Sequence, residues 1–464
     1  MEGNTHATRA NRSEEQSKTV SFPPNLFVPM PNPMLILVTN SGSASLKLDL
    51  MQVESSGTAP RRLARGRVER FGPEAATDFQ LGDGECFRST SNVPDVQAGV
   101  RWFLGNLADA FGLTSTPIGA AVHRVVHGGA TFTAPTVLDA TVLAQLETLS
   151  ELAPLHNPPA LTAIRAVQSA LGADVPMVAV FDTAFHRALP PCAANYPLPH
   201  ELAARHGLRR FGFHGIAHEY MLRRYAHLAG VPIEKAVIIT LQLGGGCSAA
   251  AIRDGHSVDT SMGFTPLEGL MMSTRAGDLD PGLLLYLARK EGMGVADLED
   301  MLNQRSGLLG VSGRSADMRE VLAAASHDTR AALAVDMFCY RARKCIGAYL
   351  AALGGAQAVV FGGGIGENDP LIRQHICEGL DWFGLLLDPA RNESATGVEG
   401  RISRDDARVQ AWVVPVDEAA LMAEAAAECL SRSASAKFSP TAGTASSPHG
   451  TRRGKSFAQP IIQP

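Results

Sequence analysis

Asn40, Ser43 and Ser45 stand close together in the segment LVTNSGSASLKLD, and the chemistry they suit is phosphate binding. Gly42 lets backbone N–H groups approach a ligand, and amide and hydroxyl groups flank it. A second turn of the same style, LQLGGGCSAAAI, lies in the second half of the chain and carries Gly244, Gly245 and Gly246. Taken alone, each reads more readily as a plain turn between two strands. The GxxxxGK[ST] loop is absent. Two phosphate-type turns in two halves predict a duplicated fold with a nucleotide held between the halves.

The elements that must position these turns follow from pattern. Met34 to Leu50 reads as a hairpin, and residues 52–93 as a polar, Gly/Pro-punctuated stretch with some strand character. Asp95 to Phe111 has helical spacing. AAVHRVVHGG reads as a buried strand closed by two glycines, and Ala140 to Glu151 as a helix. Asn157 is placed as the cap of the next helix, with Pro158 its first residue. VPMVAVFDTAF is an apolar strand ending in a polar cluster, where open α/β sheets present ligand groups. The second half repeats the theme: KAVIITLQLGGGCSAAAI as strand, turn and strand, then a long helix from Ala331 to Leu353. AQAVVFGGGIGENDP reads as strand, glycine turn and helix start, with Asp369 capping and Pro370 first. VQAWVVPVDE is a last strand ending in acids, followed by an alanine-rich helix. The fold class is therefore α/β, with two lobes of matched βββ opening and a cleft between them.

Composition bounds the rest. The chain has 464 residues and a formal net charge of -5, with no dense basic stripe, so no nucleic-acid partner is expected. Seven cysteines without a CxxC pair fit a reducing, cytoplasmic setting and argue against structural zinc. No apolar run is long enough to span a membrane, so no membrane partner is expected. Residues 1–33 are polar and then proline-rich, and are read as a disordered extension. Residues 433–464 are read as a disordered tail. The lobes are assigned as 34–185 plus 419–432 and 186–418.

The chain resembles the acetate kinases, the acetokinase family of the actin-like, sugar-kinase and heat-shock ATPase superfamily. The matching motifs include TNSGSASLK, HRVVHGG, LAPLHNP, VFDTAFH, RRFGFHG, VDTSMGFTPLEGLMMSTRAGDLDP, GGGIGEN and VPVDE. They run from Leu35 to about Ala427, and the long TSMGFTPLEG…TRAGDLDP run is the most specific. The resemblance implies an actin-like duplicated fold, a homodimer, and phosphoryl transfer from ATP to acetate with Mg2+, or Mn2+, as the metal.

It also implies roles, which elementary chemistry supports. Moving a phosphoryl group needs in-line positioning and neutralised oxygens. Arg124 and Arg275 match the two transfer-site arginines, and a guanidinium that stays charged and forks onto two oxygens suits that task. His214 matches the histidine that stabilises the moving group, and His156 a second donor. His127 and His218 are read as structural. Asp182 and Glu418 match the metal-site acids, with Asn40 beside the metal and phosphates, and Ser43 and Ser45 as neighbouring hydroxyls. Lys47 is placed among the ATP-contacting residues, as a strand residue rather than a catalytic one. Val126, Leu155, Phe213 and Pro266 match the pocket for the acyl methyl group, which discriminates one methylene by only about 1–3 kcal/mol. Gly244, Gly245 and Gly246 match the phosphate loop. Asp317, Met318 and Arg319, with Gly364, Ile365, Gly366, Glu367 and Asn368, match the adenosine site.

The chain departs from the family pattern at several points. HLGNGAS is QLGGGCS, so Gln242 replaces a histidine and Gly245 an asparagine that contacts phosphate. FHGTSH is FHGIAH, which removes hydroxyls at Ile216 and Ala217. PTNEE is PVDEA, so Asp417 adds a carboxylate beside the metal acid, expected either to tighten the metal or to repel phosphate. Ala44 stands where a serine is usual. Propionate or butyrate as acceptor, another phosphate donor, or nucleotide binding without turnover stay open as alternatives.

Overall fold

A computed structural model of the chain describes residues 33–42, 44–54, 58–112 and 118–438, with only the backbone for 434–438. The expected N-terminal extension lies outside these residues except for Pro33, as does Ser43. The first eight strands are β1 (Met34–Ser41), β2 (Ser45–Val53), β3 (Arg61–Glu69), β4 (Gly72–Leu81), β5 (Cys86–Val93), β6 (Ala120–Val125), β7 (Thr136–Val137) and β8 (Met177–Phe181). They form one sheet in the order β5-β4-β3-β2-β1-β6-β8-β7. The second sheet holds β9 (Val237–Leu243), β10 (Cys247–Arg253), β11 (His256–Thr260), β12 (Ala358–Gly362), β13 (Gly400–Arg401) and β14 (Gln410–Val413), in the order β11-β10-β9-β12-β14-β13.

The two orders contain one pattern twice. In the first sheet β3, β2 and β1 are antiparallel neighbours, and β6 and β8 then follow parallel to β1. In the second, β11, β10 and β9 are antiparallel neighbours, and β12 and β14 follow parallel to β9. This is the duplicated actin-like arrangement. The parallel strands β8 and β12 are buried along their whole length, because helices cover both faces. Their sequences, MVAVF and AVVFG, are accordingly continuous apolar runs rather than alternating ones.

Each half has its own core. Leu46, Leu48, Phe103 and Phe181 pack in the first, and Leu241, Phe338, Ile346 and Phe361 in the second. The helix Glu418–Phe438 returns from the second sheet to the first, where Leu421, Met422, Ala423 and Ala426 pack on Val38, Val122 and Val180. That helix runs past residue 432 into the segment expected to be a tail. The remainder of that segment, 439–464, lies outside the described residues.

One local expectation is extended and two need correction. The stretch expected to have some strand character holds three long strands, β3 to β5, over Arg61–Val93. β5 is the sheet edge and is exposed on both faces over most of its length, so its sequence carries no alternation. Gly363–Asn368 is a short helix rather than a glycine turn, entered through Gly363 at φ +76°. Asn157 is not the cap of the helix Asn157–Leu171; His156 holds that position, without a side-chain cap bond. Pro158 and Pro159 fill the next two helical positions and have no N–H for a cap to bind. The Asn157 amide instead clamps the HRVVHGG segment, accepting from the His127 N–H at 3.1 Å and donating to the His127 carbonyl at 3.0 Å.

Candidate active site

The parallel strands β1, β6 and β8 end side by side, and their C-terminal ends present Asn40, Arg124 and Asp182. Arg124 Nε donates to Asp182 Oδ1 at 2.9 Å and Nη2 to Oδ2 at 2.5 Å, a bidentate pair. Arg124 Nη1 donates to Asn40 Oδ1 at 3.0 Å, and Asn40 Nδ2 reaches Glu418 Oε2 at 3.5 Å. Burial works against the charge on Arg124, but the Asp182 and Glu418 carboxylates hold its pKa above the ordinary value. Asp182, expected as a metal ligand, has both its oxygens engaged by this guanidinium.

Glu418 differs. Among the described residues it is in no ion pair, and burial raises its pKa against the pull of Arg124 and Lys47. It lines a cavity of about 380 Å³ between the two sheets, together with Asn40, Lys47 and Arg124 from one side and Gly244, Gly245 and Gly246 from the other.

His214 closes this cavity from the N-terminus of the helix Gly215–Ala229. It has φ +57°, a left-handed conformation that is uncommon outside glycine. The strain is held in place by the next residue. Gly215 N donates to the Asp182 carbonyl at 2.9 Å, and a β-carbon on Gly215 would lie 2.1 Å from that oxygen. Glycine at 215 is thus what lets this histidine approach the Asp182 loop. Burial holds His214 neutral, with its pKa down to about 4.

Arg275 lies across Gly246 from His214. A β-carbon on Gly246 would meet the His214 ring at 3.2 Å and Arg275 Nη1 at 3.8 Å. Arg275 donates to the Pro266 carbonyl at 3.3 Å and, among the described residues, pairs with no carboxylate. Burial, opposed by Cys247 and reinforced by Arg124, lowers its pKa. His156 feels the same charges: burial first, then Arg275 and Arg124, take its pKa down to about 4. Arg124, Arg275, His156 and His214 therefore share one electrostatic neighbourhood.

A second cavity, of about 810 Å³, adjoins the first and shares Lys47, Gly244, Gly245 and Gly364 with it. Asp317, Met318, Arg319, Ile365 and Asn368 line it, so most of the residues expected at adenosine face one space. Asp317 caps the helix Met318–Ala325 and pairs with Arg319. Two expected members do not face it. The Glu367 carboxylate accepts from Gly363 N at 2.8 Å and Val416 N at 2.9 Å, tying the second sheet to the last helix's entry. Gly366 is buried against Leu243 and Phe361.

Other expected residues sit apart. Ser45 starts β2 at the tip of the first turn, where its carbonyl accepts from Gly42 N at 2.8 Å. Val126 and Phe213 are buried in one apolar cluster, whereas Leu155 is 46% exposed. Pro266 joins the site through its carbonyl on Arg275.

Sequence reading missed the floor of the first cavity. Asp49 accepts from Arg62 at 2.5 Å and Arg65 at 3.0 Å, and Arg62 also pairs with Asp417 at 2.6 Å. The signal was a lone acid in the apolar strand LKLDLMQV facing the basic strand RRLARGR. Asp417 Oδ1 is engaged by Arg62 and accepts from Ala420 N at 3.1 Å, so this added carboxylate carries its own counter-charge.

Buried neutral histidines make the fold acid-sensitive. Burial lowers His123 to about 3, His127 and His186 to about 4, and His218 well below its ordinary value. These pKa values are depressed, so the unfolded chain binds more protons below its own histidine pKa of about 6.5. Stability present above that pH is lost as pH falls toward 4, by about 1.4 kcal/mol per pH unit for each such histidine. Tm measured between pH 7 and 5 should fall steeply; a flat profile would contradict the buried, neutral assignment.

The fold defines the class first: a duplicated actin-like protein with a cleft between its lobes. The chain belongs to the acetokinase family, whose model matches residues 35–424. It is 44% identical over 415 residues to the acetate kinase of Chloroherpeton thalassium, covering 86% of this chain and 100% of that one. It is 45% identical over 407 residues to the acetate kinase of Solibacter usitatus, covering 86% and 98%. Among solved structures, Porphyromonas gingivalis acetate kinase superposes with a TM-score of 0.79 at 38% identity, covering 86% of this chain and all (100%) of that one. A propionate kinase from Francisella tularensis superposes at 0.77 with 34% identity, covering 84% and 98%.

Proposed function

We propose that this chain is an acetate kinase, moving the γ-phosphoryl group of ATP directly to an acetate oxygen. The observation that carries this reading is the half-buried Arg275 guanidinium, which has no carboxylate partner among the described residues and sits across one glycine from His214. A buried cation without a counter-charge is costly unless a ligand supplies the anion. Arg124 and Arg275 flank the migrating group and take up charge on its equatorial oxygens. His214, held neutral, donates a hydrogen bond to the same group, and His156 a further one. Val126, Phe213 and Pro266 orient the acetate methyl, with Leu155 at the mouth. The glycines at 244–246 carry the phosphates, and the cavity lined by Asp317, Met318 and Arg319 takes the adenosine.

Magnesium fits the donors present. Glu418 is a half-buried carboxylate in no ion pair among the described residues, and Asn40 stands beside it, 3.5 Å away. A hard cation held by one protein carboxylate, phosphate oxygens and water is the usual magnesium pattern. When bound, it supplies neutralisation of the phosphate oxygens. Asp182 contributes by holding Arg124 in its fork geometry.

The test is trapping of the acyl phosphate with hydroxylamine, omitting ATP, acetate and Mg2+ in turn. Hydroxamate formation that needs all three is the expected result; none with acetate would overturn the reading. Propionate and butyrate arms measure acyl preference, which the weak discrimination of one methylene makes modest.

Gly245 has room for the asparagine usual in the family, because a β-carbon there would meet only Ser273 Oγ at 4.0 Å. Gly245→Asn should lower KM for ATP roughly 5-fold, the worth of one hydrogen bond of about 1 kcal/mol. An unchanged KM in steady-state kinetics would show that the loop backbone already supplies that contact.

We further read the protein as a cytoplasmic homodimer. All seven cysteines are free, and no helix among the described residues is long and apolar enough to cross a membrane. The helix Pro281–Glu291 buries none of its residues and exposes Leu283, Leu285 and Tyr286, with Leu279 beside it, which supports a protein contact there.

A further inference from the structure

Behind His214 runs a chain of buried groups that the phosphoryl-transfer reading does not use. His214 Nδ1 lies 2.9 Å from Ser248 Oγ, Ser248 Oγ lies 2.8 Å from His218 Nε2, and His218 Nδ1 lies 2.7 Å from Thr240 Oγ1. Ser248, His218 and Thr240 are fully buried, so water does not complete their hydrogen bonding. Each hydroxyl has one proton, and each neutral imidazole one N–H. The proton pattern along the chain can therefore be worked out.

Two directions are possible. In one, Thr240 donates to His218 Nδ1, His218 Nε2–H donates to Ser248, and Ser248 donates to His214 Nδ1. Every proton then has an acceptor, and His214 carries its own proton on Nε2. In the other, His214 Nδ1–H donates to Ser248, Ser248 to His218 Nε2, and His218 Nδ1–H to Thr240. The Thr240 hydroxyl proton then has no acceptor among the described residues, a buried orphan that costs about 1–3 kcal/mol. The first direction wins on that count. The Nε2 side of the ring faces Gly246, where a β-carbon would lie 3.3 Å from it, and the residue lines the phosphate cavity.

We propose that Thr240, His218 and Ser248 form a one-way hydrogen-bond relay that fixes the tautomer of His214, so that a neutral Nε2–H points at the phosphoryl site. The three are positioning residues: none touches the substrates, and Thr240 sets the sense of the chain from its far end. His186 supports the same arrangement. It lies 3.0 Å from the Phe213 carbonyl through Nε2, which must therefore carry the proton, and 2.7 Å from Ser257 Oγ through Nδ1. That bond braces the backbone one residue before His214. The inference rests on the reading of His214 as a donor to the moving group.

The test uses the whole protein with 15N-labelled histidine, read by two-bond nitrogen–proton correlations that report which ring nitrogen carries the proton. The wild type should show His214 and His218 both protonated on Nε2. Ser248→Ala removes the donor to His214 Nδ1, so His214 should then populate both tautomers and kcat should fall by roughly 10-fold or more, with KM for ATP little changed. Loss of packing alone would lower Tm without moving the tautomer. A wild-type His214 or His218 protonated on Nδ1 overturns the relay, even where the alanine variant fails to fold. So does a His214 held wholly as Nε2–H in Ser248→Ala. An altered tautomer balance with full kcat would uphold the relay and reject the donor role of His214.

Discussion

Arg275→Ala should lower kcat by about 10³-fold, with little change in Tm or a small rise. The two halves of this result have one cause. Desolvation lowers the Arg275 pKa, and no carboxylate among the described residues offsets the half-buried charge. In the resting protein this cation gains only a weak hydrogen bond to the Pro266 carbonyl at 3.3 Å against its desolvation. The larger gain comes when a γ-phosphoryl group spreads charge over its equatorial oxygens beside the guanidinium. Arg275→Lys keeps the charge and loses the fork, so it should fall between wild type and alanine. Steady-state kinetics and thermal melts on the same preparations check both halves. Full kcat in the alanine variant would remove Arg275 from the mechanism; a large fall in Tm would make it a structural residue. Arg124 offers the contrast. It is paired on both sides of its fork with Asp182, so Arg124→Ala should lose stability as well as rate.

Glu418→Gln is the second large effect. It keeps the shape and removes the one cavity carboxylate that is in no ion pair among the described residues. Turnover should fall by about 10²–10³-fold, and the Mg2+ concentration for half-maximal rate should rise. Stability should move the other way. Burial raises the Glu418 pKa above its ordinary 4.5, so the folded protein holds this proton more tightly than the unfolded chain. The penalty for ionising it is absent below the ordinary pKa, grows as pH climbs, and is complete above the raised pKa. Glu418→Gln should therefore melt higher than wild type at pH 7 and equally at pH 4. Unaltered Mg2+ dependence would reject the metal role, and a lower melting point at pH 7 would reject the uncompensated burial.

What could be read from the sequence was set by range. The hairpin of β1 and β2, the strand–turn–strand of β9 and β10, and the helix Thr329–Leu353 show themselves through local periodicity and turn residues. The edge strand β5 does not, because a strand exposed on both faces has no alternation to display. Asn157 misled because an asparagine before prolines imitates a helix cap, while its amide is spent on His127. The site divides in the same way. The glycine turns and the FHG step are local. The fork of Arg124 on Asp182 joins residues 58 positions apart, and it takes the parallel register of β6 and β8 to bring them together. The Arg62 bridge from Asp49 to Asp417 spans both ends of the chain, so the extra carboxylate of PVDEA looked free when it was not. The Thr240–His218–Ser248 relay was invisible for a further reason: its meaning lies in which atoms carry protons, and no motif records that.

The most direct test of the account follows the phosphorus itself. ATP made chiral at its γ-phosphorus with three oxygen isotopes is turned over with acetate, and the configuration of the acetyl phosphate is determined. One in-line displacement between the lobes predicts inversion. Retention, the mark of an intervening phosphoenzyme, would contradict it.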